Sequence, residues 1–99
     1  MFLVRDIMFC KPGSARPMVK KFLALSKDGK KIGFGPMRIM TDVSAERYWT
    51  VVAEMEVESL EQYTELSRKG MENKDFQEIM KDYHELVVSG RREIYMIEK

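Results

Sequence analysis

The order strand, helix, strand is written twice in this chain, and few folds accept that order twice within 99 residues. The first pass opens on Phe2 to Cys10, where Leu3, Arg5, Ile7 and Phe9 alternate with Phe2, Val4, Asp6 and Met8. Both sets are largely apolar, as befits a strand covered on two sides. Lys11-Pro12-Gly13 ends it, because Pro12 has no N–H for a ladder and Gly13 permits a sharp turn. Ser14 is placed to cap a helix with Pro17 in its first turn, and Met18, Val19, Phe22, Leu23 and Leu25 form an apolar stripe. Asp28-Gly29 should stop this helix, and Ile32 to Val43 reads as a strand interrupted by Gly33, Gly35 and Pro36, which suits a sheet edge.

The second pass begins with Arg47 to Val57, rich in aromatic and β-branched residues, after a turn over Thr41 to Glu46. Ser59 with Gln62 three residues on is a capping box for the next helix, whose inner side is Leu60, Tyr63, Leu66 and Ser67. Gly70 and Asn73 predict a break, followed by a further helix from Lys74 to Val87 with Phe76, Ile79, Met80 and Tyr83 inward. Ser89-Gly90 is expected to turn the chain into a last strand from Arg92 to Ile97. The βαββαβ order predicts a ferredoxin-like α+β fold with a four-stranded antiparallel sheet, residues 1–99 forming one domain.

Two helices cover only one face of such a sheet, yet the other face would also carry Phe, Tyr, Val, Met and Ile among its charges. An exposed face that apolar favours a second copy packed against it, so a homodimer joined through its sheet faces is expected. Arg5 and Asp6 are neighbours in one strand and therefore point to opposite faces, each needing a partner. Glu54, Glu56, Arg38 and Arg47 are candidates for cross-strand pairing that would set the register of the two copies.

Composition narrows the function by exclusion. The 17 basic and 16 acidic residues are interspersed and nearly cancel, which argues against nucleic acid as a partner. No apolar run approaches a membrane span or a signal-peptide core, so neither membrane nor secretion is expected. Cys10 is the only cysteine, which suits a reducing cytoplasm, and one Cys with one His gives no metal cluster. Nine methionines are the compositional oddity: they would line an adaptable apolar pocket or simply replace Leu in the core.

The run Leu3 to Gly13 followed by an amphipathic helix resembles the opening of NIPSNAP-type domains, which belong to the dimeric α+β barrel superfamily with the antibiotic-biosynthesis monooxygenases. The stretch Val51 to Tyr63 is similar to that superfamily's third-strand-to-helix junction, and Asp75-Phe76 and Ser89 to Tyr95 resemble it as well. The resemblance covers nearly the whole chain through short structural motifs. It implies a dimer whose two sheets close a barrel and a pocket for a small apolar or aromatic molecule, and it suggests cofactor-independent oxygenation of an electron-rich aromatic if the protein is an enzyme. It does not select one chemistry, since the scaffold also hosts haem-handling enzymes and proteins without catalysis.

In that reading His84, the only histidine, is the candidate catalytic base, at the border of an apolar helix stripe. Arg5 or Arg38 would stabilise a substrate anion, and Tyr48, Trp49 and Tyr95 would shape the cavity. Each has a plainer role available: a packed histidine, interfacial ion pairs, core aromatics. A non-catalytic interaction or ligand-sensing dimer is the rival, and a filled interior rather than a ligand-sized void of ~300 Å³ would favour it. No cofactor is expected; a haem-handling role is the weaker alternative, and Asn73 and Trp49 fall at the wrong spacings for the superfamily's haem-degrading members.

Overall fold

In the computed structural model, which describes residues 1–99, four strands form one antiparallel sheet: β1 Phe2–Cys10, β2 Met37–Thr41, β3 Thr50–Val57 and β4 Val87–Met96. Their spatial order is β2-β3-β1-β4, so the first strand is central and β2 and β4 are edges. The helices are α1 Ala15–Gly29, α2 Leu60–Glu72, α3 Lys74–Met80 and α4 Tyr83–Leu86, with a 3-10 turn at Lys30–Ile32. This is the ferredoxin-like α+β fold expected from the repeated strand-helix-strand order.

The helices lie on one face. Met8 and Cys10 of β1 and Val51 and Ala53 of β3 pack on Met18, Val19, Phe22 and Leu25 of α1, with Phe76, Ile79 and Met80 of α3 against the same core. A smaller cluster of Val4, Met55 and Val57 takes Phe34, Met37 and Tyr63. Met18 is wholly buried, whereas Leu23, one member of the expected stripe, is 54% exposed because it lies at the stripe's outer margin.

Local chemistry sets the element ends. Ser59 Oγ accepts the Gln62 N–H at 3.0 Å, and the Gln62 side chain reaches back to the Glu58 N–H at 2.7 Å, one residue beyond the usual reciprocal bond. Asn73 ends α2 and starts α3, its Oδ1 accepting the N–H groups of Asp75 and Phe76. Ser14 precedes α1 without a side-chain cap bond.

Four boundaries differ from expectation, each for a reason visible in the backbone. Ile32 closes the 3-10 turn, Gly33 follows at φ 100°, and β2 begins only after Pro36, so the proline precedes the edge strand instead of interrupting it. Arg47, Tyr48 and Trp49 belong to the β2–β3 loop; the Thr50 N–H bonds to Asp42 Oδ1 at 2.9 Å and Trp49 turns the chain at φ 61°. The helix expected to reach Val87 stops at Met80, and after the short α4 the last strand starts at Val87. Ser89-Gly90 is therefore no turn. It lies inside β4 beside a register shift at Phe9/Cys10, and a Cβ on Gly90 would stand 2.9 Å from the Ile7 carbonyl oxygen.

Candidate functional site

A cleft of about 490 Å³ opens between the helix-covered face of the sheet and the α2–α3 pair. Its walls are apolar, supplied by Phe22 and Leu25 from α1, Met37 and Met55 from the sheet, and Phe76 and Met80 from α3. The break after α2 builds the far wall. Gly70 lacks the Cβ that would stand 2.9 Å from the Phe76 ring, so the ring leans against α2 and meets Phe34 at a centroid distance of 5.7 Å.

Among the polar residues of the lining, which include Ser67 and Gln77, one pair is ionic. Asp6 and Arg92 face each other in the β1–β4 register, and Arg92 Nε donates to Asp6 Oδ1 at 2.6 Å. The Arg92 guanidinium also lies 5.5 Å from the Tyr63 ring centroid, within cation–π range. Burial works against the Arg92 charge, but the hydrogen bond and charge of Asp6 outweigh it and hold its pKa above the ordinary value. A second concavity of about 430 Å³ meets the first at Asp6, Phe22, Met80 and Arg92, and it is bounded by Tyr83. Burial first, and then the negative charge of Asp6, push the Tyr83 phenol above its usual range. Arg92 and Asp6 thus form one hydrogen-bonded ion pair at the edge of a greasy slot.

The residues expected to form a site fall in three places. Arg5, Arg38 and Tyr95 lie on the open face of the sheet, where β2, β3, β1 and β4 in turn contribute Arg38, Glu54, Arg5 and Glu93, each directly opposite its neighbour in the ladder. Arg38 Nη2 donates to Glu54 Oε1, Arg5 Nε stands 3.0 Å from Glu54 Oε2, and Arg5 Nη1 stands 3.6 Å from Glu93 Oε1. The Arg5 Nε–H is buried and not aimed along its line to Glu54, so that contact is an ion pair and not a hydrogen bond. Tyr95 donates its hydroxyl to Glu93 at 3.0 Å, which raises its pKa through that bond and the carboxylate's charge.

Tyr48 and Trp49 line a separate hollow of about 450 Å³ between the β2–β3 loop and the start of α1. His84 is exposed on α4, its ring edge-on to Tyr83 at 5.4 Å, and it lines none of the three hollows. No three His, Cys, Asp or Glu side chains converge as a metal would need. The cleft residues Arg92 and Tyr63 were not singled out as a site by their sequence context. Strand parity did carry part of the signal: Asp6 alternates with Arg5 and so shares a face with Val4 and Met8.

No protein-family model and no curated protein sequence matches the chain. Solved structures do. A NIPSNAP-like domain protein from Burkholderia xenovorans is similar over 99% of this chain and 85% of its own, with a TM-score of 0.83 and 16% identity. A NIPSNAP family protein from Agrobacterium tumefaciens has a TM-score of 0.82 over 96% and 90% of the two chains at 14% identity. An antibiotic-biosynthesis-monooxygenase-like protein from Nitrosomonas europaea is covered in full, as is this chain, with a TM-score of 0.76 and 9% identity. The chain thus has the ferredoxin-like α+β fold found in NIPSNAP and antibiotic-biosynthesis-monooxygenase-like proteins. No helix is long and apolar enough to cross a membrane.

Proposed function

We propose that this protein binds a small, largely apolar or aromatic molecule in the cleft between its sheet and the α2–α3 pair, and does so as a homodimer joined through the open sheet faces. The cleft itself carries the reading: at about 490 Å³ it exceeds the ~300 Å³ lower bound of small-molecule sites, with largely apolar walls and one ion pair. The dimer rests on the open face, which no helix covers: Met40 of β2 and Tyr95 of β4 are exposed there, and Leu3 and Phe9 of β1 and Val52 of β3 are half-buried.

The reaction class we assign is cofactor-independent oxygenation of an electron-rich aromatic hydroxyl compound, a class the superfamily resemblance suggests. In this cleft Asp6 accepts the hydroxyl proton, Arg92 stabilises the resulting anion, and the apolar walls exclude water from it. The anion then gives one electron to dioxygen, and the substrate and superoxide radicals recombine to a carbon-bound peroxide, which takes back the proton held by Asp6. Loss of water, breaking the O–O bond and the C–H bond at that carbon, leaves one oxygen atom in the product as a carbonyl. His84, exposed on α4, has no part in these steps as they run inside one protomer's cleft.

A thermal-shift screen with planar aromatic alcohols tests binding, because a ligand selecting the native state raises its melting temperature. Met80→Trp fills the cleft and should erase the shift; a shift that survives it removes the cleft from the proposal. Oxygen uptake with the bound compound, abolished in Asp6→Asn, supports the reaction. Binding with no uptake for any bound compound leaves the non-catalytic sensor.

A further inference from the structure

The open face carries more than an apolar surface. Its row Arg38, Glu54, Arg5, Glu93 crosses all four strands with charge alternating at every step, one residue per strand. The rows on either side are largely apolar: Met40, Val52 and Ile7 with Arg91 toward the loop end, Leu3 and Tyr95 with Glu56 toward the other. Glu54 is 8% exposed at its side chain while Arg38 at the row's end is 72% exposed, so the centre is already desolvated and the end is unshielded.

A two-fold axis relating two facing sheets lies in the plane between them, and its direction decides what stands over the row. An axis across the strands, along the row, sets each charge over its own copy: Arg38 on Arg38 and Glu93 on Glu93. An axis along the strands reverses the row. Arg38 then stands over Glu93 of the other copy, and Glu54 over Arg5, at all four positions. A row of four that begins positive and ends negative is complementary to itself only under the second operation. Like charges facing each other in a drying interface cost several kcal/mol, which removes the first arrangement.

Resting on the dimer reading above, we infer that the row is the register device of a self-complementary interface, with Arg38 of each copy pairing with Glu93 of the other across a two-fold axis parallel to the strands. The flanking apolar residues drive association; the row selects its geometry. The same axis stacks β4 of one copy over β2 of the other.

The test is a charge swap read by sedimentation velocity and circular dichroism. Arg38→Glu alone and Glu93→Arg alone should each weaken the dimer about ten- to a hundredfold, two like-charge contacts being created per dimer. Mixing the two purified variants should restore a heterodimer near wild-type affinity, because both contacts are then opposite in charge. The double variant Arg38→Glu/Glu93→Arg should also dimerise, although within one chain it sets a new carboxylate beside Glu54 and a new guanidinium beside Arg5 and Arg91. If the row worked only within the chain, that double variant would be the worst of the four proteins. A dimeric wild type without rescue by mixing or doubling overturns the inference and spares the dimer. A wild type that sediments as a monomer at micromolar concentration overturns the dimer reading itself.

Discussion

Arg92 Nε donates to Asp6 Oδ1 across 2.6 Å, joining residues 86 apart in the chain on the helix-covered side of the sheet. Arg5, the residue before Asp6 in β1, points the other way and stands 3.0 Å from Glu54. Two adjacent charges thus serve two sites: one marks the mouth of the cleft, the other the centre of the open face. Both follow from the two-residue period of a strand.

Asp6→Ala leaves Arg92 its cation–π contact with Tyr63 and Tyr83 without a neighbouring carboxylate. Urea unfolding should show a loss of about 1 kcal/mol, the worth of a charge-assisted bond after allowing for the exposure of Arg92. A double-mutant cycle with Arg92→Leu should return most of that as coupling; purely additive losses would show that the pair contributes nothing jointly.

Tyr83 makes the alkaline stability limit readable. Its pKa is raised in the folded state by burial and by Asp6, so the unfolded chain loses this proton first as the pH rises. The stabilisation is complete below the ordinary tyrosine range near pH ~10 and declines above it, through the higher folded value. Tyr83→Phe should flatten that decline in melting-temperature profiles, and an unchanged profile would refute the assignment.

Asn73 holds the α2–α3 break with one side-chain oxygen on two N–H groups, at 2.9 and 3.1 Å. Asn73→Ala should cost about 1 kcal/mol and Asn73→Asp much less. Because α3 supplies Phe76 and Met80 to the cleft wall, hydrogen exchange at Asp75 and Phe76 should quicken and ligand affinity fall together. A cap loss that leaves affinity untouched would detach the break from the cleft.

Gly90 pairs with Met8 in the β4–β1 ladder. Gly90→Ala puts its Cβ 2.9 Å from the Ile7 carbonyl oxygen, a backbone atom held in the ladder. The strand must shift, at about 1–3 kcal/mol. Gly13, with nothing within 4 Å but φ +81°, is the contrast: Gly13→Ala is penalised by backbone conformation alone, by about 1 kcal/mol. Equal or negligible losses at Gly90 would mean the β4 edge yields freely.

Much of the fold was legible because it is local. Hydrophobic alternation placed β1, a 3.6-residue stripe placed α1, and Ser59 and Asn73 announced where α2 and α3 begin. Strand content near Arg47 misled, since aromatic and β-branched residues suit a strand but the Asp42–Thr50 bond and the left-handed Trp49 delay it by three residues. Ser89-Gly90 misled in the opposite sense: a turn pair in sequence is a close-packed strand pair in space.

The amino-acid order by itself determined the elements, their sequence and the opposed directions of Arg5 and Asp6, because each depends on neighbours a few residues away. Only the tertiary structure decided that Asp6 meets Arg92 above an apolar cleft, and that Arg38, Glu54, Arg5 and Glu93 line up across four strands. Those contacts depend on ladder register, which is set by packing summed over the whole sheet and leaves no mark in any short window of the chain.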